Sequence, residues 1–117
     1  MSKPVEIPEK TSRGSRMPAQ FVGRVTVVRD RESEERYPSL GRAYTVLVDG
    51  EPIGSVRGRR ELASTTYKGT RIRRDLGHPF RWVGYAGPYG ATPFGMDTRA
   101  DAAICVVERW AEGVKSV

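Results

Sequence analysis

Between Glu51 and Arg81 the chain carries eight basic side chains, Arg57, Arg59, Arg60, Lys68, Arg71, Arg73, Arg74 and Arg81, against three acidic ones, Glu51, Glu61 and Asp75. A guanidinium is a planar fork of donors that fits a phosphate or carboxylate in bidentate fashion and keeps its charge at any physiological pH. The chemistry open to this stretch is the holding of anions. It carries a local excess of +5, while residues 1–20 carry +2, residues 21–50 are balanced and residues 82–117 carry −1, so it holds most of the net +6. Of the 20 basic residues 16 are Arg, a bias that a GC-rich genome also produces through its codons. The position of the charge is therefore more informative than its total.

Aromatic residues are interleaved with the basic stretch and continue past it: Tyr67, Phe80, Trp82, Tyr85, Tyr89 and Phe94. Exposed rings stack on unpaired bases. Phe80 and Trp82 are expected to share a core face beneath a helix, whereas Tyr85 and Tyr89, beside glycines, are expected at the surface. The candidate nucleic-acid-binding set is thus Arg57, Arg59, Arg60, Lys68, Arg71, Arg73, Arg74, Arg81, Tyr85 and Tyr89.

Other chemistries find little support. Gly84, Gly87, Gly90 and Gly95 suggest a phosphate-cradling loop, but no Gly-Lys-Ser/Thr follows and the strand-to-helix spacing of a dinucleotide fingerprint is missing. His78 and Cys105 are the single residues of their types and have no neighbours at metal-ligand spacing. On an apolar helix Cys105 reads as a packing residue, and His78 before Pro79 as a turn residue. No carboxylate pair stands out. The expectation is a non-enzymatic protein with no cofactor and no metal.

These residues need a scaffold, and 117 residues with 38% hydrophobic and 29% charged side chains suffice for one globular domain. The longest apolar run, around Val46 to Val48, is too short to cross a bilayer, and the N-terminus lacks the apolar stretch of a secretory signal. One cysteine excludes an internal disulfide. A cytoplasmic protein with no membrane association is expected.

Met1 to Gln20, with Pro4, Pro8 and Pro18 and no apolar period, reads as a disordered tail, leaving residues 21–117 as the domain. Phe21 to Val28 alternates and is rich in β-branched residues, which predicts a strand. Arg29 to Ser39 reads as a loop with a helical turn around Ser33 to Arg36. Ala43 to Val48 and Glu51 to Arg57 flank Asp49-Gly50, a pair that accepts positive φ at both central positions of a two-residue hairpin. That turn sets Val48 opposite Glu51, Val46 opposite Ile53 and Tyr44 opposite Ser55. Pro52, which cannot donate to a ladder, marks an edge or an outward-facing nitrogen. Glu61 to Gly77 is ambiguous, since Thr65, Thr66, Tyr67 and Ile72 suit a strand that Arg71, Arg73 and Arg74 interrupt. Phe80 to Ala86 reads as a strand and Gly87 to Gly95 as a loop.

The last element is the clearest. Asp97 or Thr98 can cap a helix in which Ala100, Ala103, Ile104, Val107, Trp110, Ala111 and Val114 recur at spacings of three and four. Arg99, Asp101, Glu108, Arg109 and Glu112 then face outward, and Gly113 ends the helix in a left-handed conformation.

The expected fold class is α+β, a small antiparallel sheet of three to four strands packed on one C-terminal helix behind a disordered N-terminal tail. In element order this is similar to small nucleic-acid-binding modules such as the arm-binding domains of tyrosine integrases and double-stranded RNA-binding domains. The chain carries no motif of either, so the likeness bears on architecture alone. The functional expectation is a small accessory protein that contacts the phosphates of DNA or RNA through an arginine-rich face. The alternative is an adaptor or inhibitor that holds an acidic protein surface through the same face or through the Tyr89 to Phe94 loop.

Overall fold

The computed structural model describes residues 3–38, 41–60, 63–67, 70–74, 80–92, 96 and 98–115, with residues 59, 60, 63–67, 70–74 and 80 described by backbone alone. In chain order the elements are β1 (Val5–Glu6), β2 (Val25–Arg29), α1 (Arg31–Arg36), β3 (Arg42–Val48), β4 (Glu51–Arg60), β5 (Ala63–Tyr67), β6 (Thr70–Arg74), β7 (Phe80–Tyr85) and α2 (Arg99–Lys115). Five strands form one antiparallel sheet in the order β1-β2-β3-β4-β7, and β5 and β6 pair separately as a two-stranded ribbon. The α+β class holds, but the sheet has five strands where three to four are expected. Among the described residues no helix is long and apolar enough to cross a membrane.

The Asp49-Gly50 turn forms as its residue types require, with φ of +52° and +82°. Val48 faces Glu51, but the register shifts between Val46 and Leu47, so Val46 faces Gly54 and Thr45 faces Ser55. The predicted Val46 to Ile53 pairing is corrected by this bulge, in which Ile53 is the extra residue. Pro52 pairs with Leu47 of β3 but lies beyond the β4–β7 ladder, which starts at Ser55, so no β7 carbonyl lacks a donor there.

Alternation along the strands gives the sheet one apolar face. Val25, Val27, Val46, Val48 and Val56 are buried on it together with Ala102, Ala103, Ile104, Val106 and Val107 of α2. The helical spacing missed Val106 and overestimated Val114, which is exposed. Two sheet glycines explain the difference. A Cβ at Gly84 would lie 2.3 Å from Val106 Cγ2, and one at Gly54 would lie 2.9 Å from Val106 Cγ1. Without side chains there, α2 settles low over β4 and β7. Trp82 lies over Gly58, its partner in register, and beside Tyr44 at 5.9 Å between ring centroids.

Gly113 corrects a second expectation. It lies inside α2, which continues to Lys115, and it does not take positive φ. Its missing side chain leaves the space filled by Tyr89, whose Cδ1 would be 2.3 Å from a Cβ. Ala favours a helix over Gly by about 1 kcal/mol, yet Gly113→Ala is expected to lower stability by about 1–3 kcal/mol through overpacking against the ring. A urea denaturation midpoint at or above that of the wild type would contradict this packing.

The segment expected as a tail contributes to the fold. Val5–Glu6 pairs with β2, Ile7 N–H donates to the Val25 carbonyl at 2.9 Å, and Ile7 and Met17 are buried at 2% and 5% exposure. Between them Lys10 and Arg16 form an antiparallel bridge. A single carboxylate ties this segment to α2. Thr98 Oγ accepts from the Asp101 N–H at 3.1 Å and donates to Asp101 Oδ2 at 2.5 Å, while Thr11 Oγ donates to Asp101 Oδ1 at 2.5 Å. Asp101 is 1% exposed, which overturns its outward assignment. The Thr-x-x-Asp spacing of a capping box carried the local half of this arrangement. Asp97, the other capping candidate, lies outside the described residues.

Candidate nucleic-acid interface

The described basic residues of the candidate set fall on three strands. Arg57, Arg59 and Arg60 belong to β4, Arg71, Arg73 and Arg74 to β6, and Arg81 to β7, while Tyr85 ends β7 and Tyr89 follows it. Lys68 lies outside the described residues. β4 is hydrogen-bonded to β3 and β7, and the strand partner of β6 is β5. The two arginine groups, Arg57 to Arg60 and Arg71 to Arg74, are therefore not on adjacent strands. The registers instead set Arg59 opposite Arg81, and Arg71, Arg73 and Arg74 opposite Thr66, Ser64 and Ala63.

Arg57 is committed within the fold. Its Nη2 donates to the Ser33 carbonyl at 3.3 Å and to Ser33 Oγ, and its guanidinium carbon stands 5.9 Å from the Tyr37 ring centre. Its Nη1 is buried with no hydrogen-bond partner among the described residues. This side chain joins β4 to α1, a tertiary contact with no local signal in the sequence. Arg81 is half-buried.

The two tyrosines separate. Tyr85 is 43% exposed, as a ring beside a loop is expected to be. Tyr89 is half-buried against Gly113, and its carbonyl accepts from Arg109 Nε at 2.8 Å. The surface expectation for Tyr89 is thus corrected. The glycine-loop reading also loses a member, because Gly84 sits under Val106 as a packing residue.

Elsewhere arginines meet carboxylates or rings of the same chain. Arg24 Nε donates to both Asp49 oxygens at 3.0 Å. Arg29 holds Glu34 through two contacts of 2.9 Å, and Arg36 reaches Glu32 at 3.4 Å. Hydrogen bonding from Arg24 and Arg29 pulls Asp49 and Glu34 below their ordinary pKa values. Arg99 lies 4.7 Å from the Tyr44 ring centre. The balanced charge of residues 21–50 is largely matched locally in this way. On the ribbon the contrast is one of composition, since neither Ala63–Tyr67 nor Thr70–Arg74 contains an acidic residue.

Cys105 is half-buried, and its thiol is pushed up by burial first and then by Glu108 and Asp101. A raised thiol is a poor nucleophile at neutral pH. His78 lies outside the described residues, and among those described no three His, Cys, Asp or Glu side chains gather as metal ligands.

Compared with known proteins, the chain matches no family profile, no curated protein and no solved structure. What the molecule does has to be read from its own residues.

Proposed function

We propose that the protein is a non-enzymatic accessory factor that binds nucleic acid by gripping phosphates, with the β5–β6 ribbon as the main contact and the Arg59/Arg81 end of the β4–β7 ladder as a second. The observation that carries this reading is the register of the ribbon. Three arginines stand within four consecutive positions of β6, and the strand opposite offers them hydroxyl and methyl side chains, with no carboxylate in register. An arginine-rich genome explains many arginines, but not their gathering on one strand whose paired positions carry no acidic residue type. Arg59 in register with Arg81 brings two further basic residues of the candidate set onto neighbouring strands.

Phosphate contact of this kind releases counterions, so affinity falls linearly with salt on logarithmic axes. The full chain is expected to bind a random-sequence labelled duplex with submicromolar affinity, roughly, in fluorescence anisotropy at about 50 mM salt, and far more weakly at about 200 mM. No binding to duplex or single-stranded polymer at the lower salt would overturn the proposal and favour an acidic protein surface as the partner.

A further inference from the structure

We infer that the polymer held by the ribbon is B-form duplex DNA, entered through the major groove. This rests on the nucleic-acid reading above and narrows it to one polymer and one groove.

The first argument is shape. β5 and β6 are five residues each, antiparallel and in continuous register from Ala63↔Arg74 to Tyr67↔Thr70, and among the described residues they form a sheet of two strands. Strands lie about 4.8 Å apart, so with side chains a two-stranded ribbon matches the major groove, about 12 Å wide, and exceeds the minor groove of about 6 Å. A-form RNA presents a deep, narrow major groove that side chains cannot read.

The second argument is residue chemistry. Ser64 and Thr66 stand in register with Arg73 and Arg71. Arginine is the commonest reader of the guanine edge in the major groove, and serine and threonine serve phosphates and base edges alike. Single-strand binders instead need rows of exposed rings. Here Trp82 lies over Gly58 and Tyr89 against Gly113, and of the two candidate tyrosines Tyr85 alone is exposed, which is not a row.

The test compares three labelled probes of the same sequence, about 20 nucleotides long: duplex DNA, duplex RNA and single-stranded DNA. The full chain is expected to bind duplex DNA at least about 10-fold more tightly than either alternative. A minor-groove-filling polyamide should leave that binding intact. Arg71→Gln with Arg73→Gln should weaken duplex DNA binding at least about 10-fold with an unchanged melting temperature. Lys115→Gln, at the end of α2, should stay within about twofold of the wild type. Equal or tighter binding to duplex RNA or to single-stranded DNA, or displacement by the polyamide, would overturn the inference while leaving phosphate binding intact. Failure to bind any of the three probes would overturn the wider proposal as well.

Discussion

Replacing Ile104 by Asp is expected to leave the chain without a cooperative unfolding transition and without near-ultraviolet circular dichroism from Trp82 and Trp110. Ile104 is wholly buried on α2, in one core cluster with the valines of β2, β3 and β4. The substitution forfeits about 1.5–3 kcal/mol of apolar burial and adds a cavity term. It also places a carboxylate where none of its hydration is replaced, at a cost of several kcal/mol more. Domains of this size have only about 5–15 kcal/mol of total stability. Ile104→Val, which should cost about 0.5–1.5 kcal/mol and keep the fold, separates loss of packing from intolerance of any change. A melting temperature for Ile104→Asp equal to that of the wild type would contradict the packing of α2 on the sheet.

The second large effect is expected at Asp101. Asp101→Ala removes the acceptor of the Thr11 and Thr98 hydroxyls and releases the N-terminal segment from α2. A hydrogen bond to a charged group is worth about 1.5–3 kcal/mol and two are removed, so a loss of about 3 kcal/mol is expected. Asp101 also gives stability a pH dependence. Burial, the largest single influence, raises its pKa, but hydrogen bonds from Thr11, Thr98 and Ser15, with the charge of Arg13, together hold it below the ordinary value. A carboxylate with a lowered folded-state pKa contributes its full stabilisation above the unfolded value, about 3.9 for Asp, and loses it as pH falls through the folded value. Urea midpoints should therefore fall below about pH 4 more steeply for the wild type than for Asp101→Asn, which does not titrate. Parallel curves for the two proteins would contradict the role given to this carboxylate.

The parts of the fold legible in the sequence are those set by local chemistry. α2 follows from apolar residues spaced by three and four, and the β3–β4 turn from Asp49-Gly50, whose residue types tolerate positive φ. Features set by distant contacts were not legible. Ile7 and Met17 are lone apolar residues in a polar segment, with no period to mark them, and their burial depends on surfaces made by β2 and α2. Gly113 resembles a helix stop until Tyr89 is seen to occupy the space beside it, and Val106 resembles a peripheral position until Gly54 and Gly84 are seen beneath it. The bulge at Ile53 lies within residues whose alternation suits an unbroken ladder equally well.

The candidate site divides in the same way. The concentration of charge and the exposure of Tyr85 could be read from composition and neighbours. The engagement of Arg57 with Ser33 could not, because the two are 24 residues apart and the link depends on how α1 meets β4. The β5–β6 pairing was hidden because arginines at three of the five β6 positions erase the apolar alternation that marks a strand. The arginines that conceal this strand are the ones on which its proposed use rests.

The central claim is that the arginines of β6 neutralise phosphates. Its most direct test is the slope of log affinity against log salt for a random-sequence DNA duplex, measured for the wild type and for a variant carrying Arg71→Gln, Arg73→Gln and Arg74→Gln. Each phosphate neutralised contributes about 0.9 to that slope, so the variant's slope should be shallower by about 2–3, with the melting temperature unchanged. A variant with the wild-type slope and affinity would contradict the account.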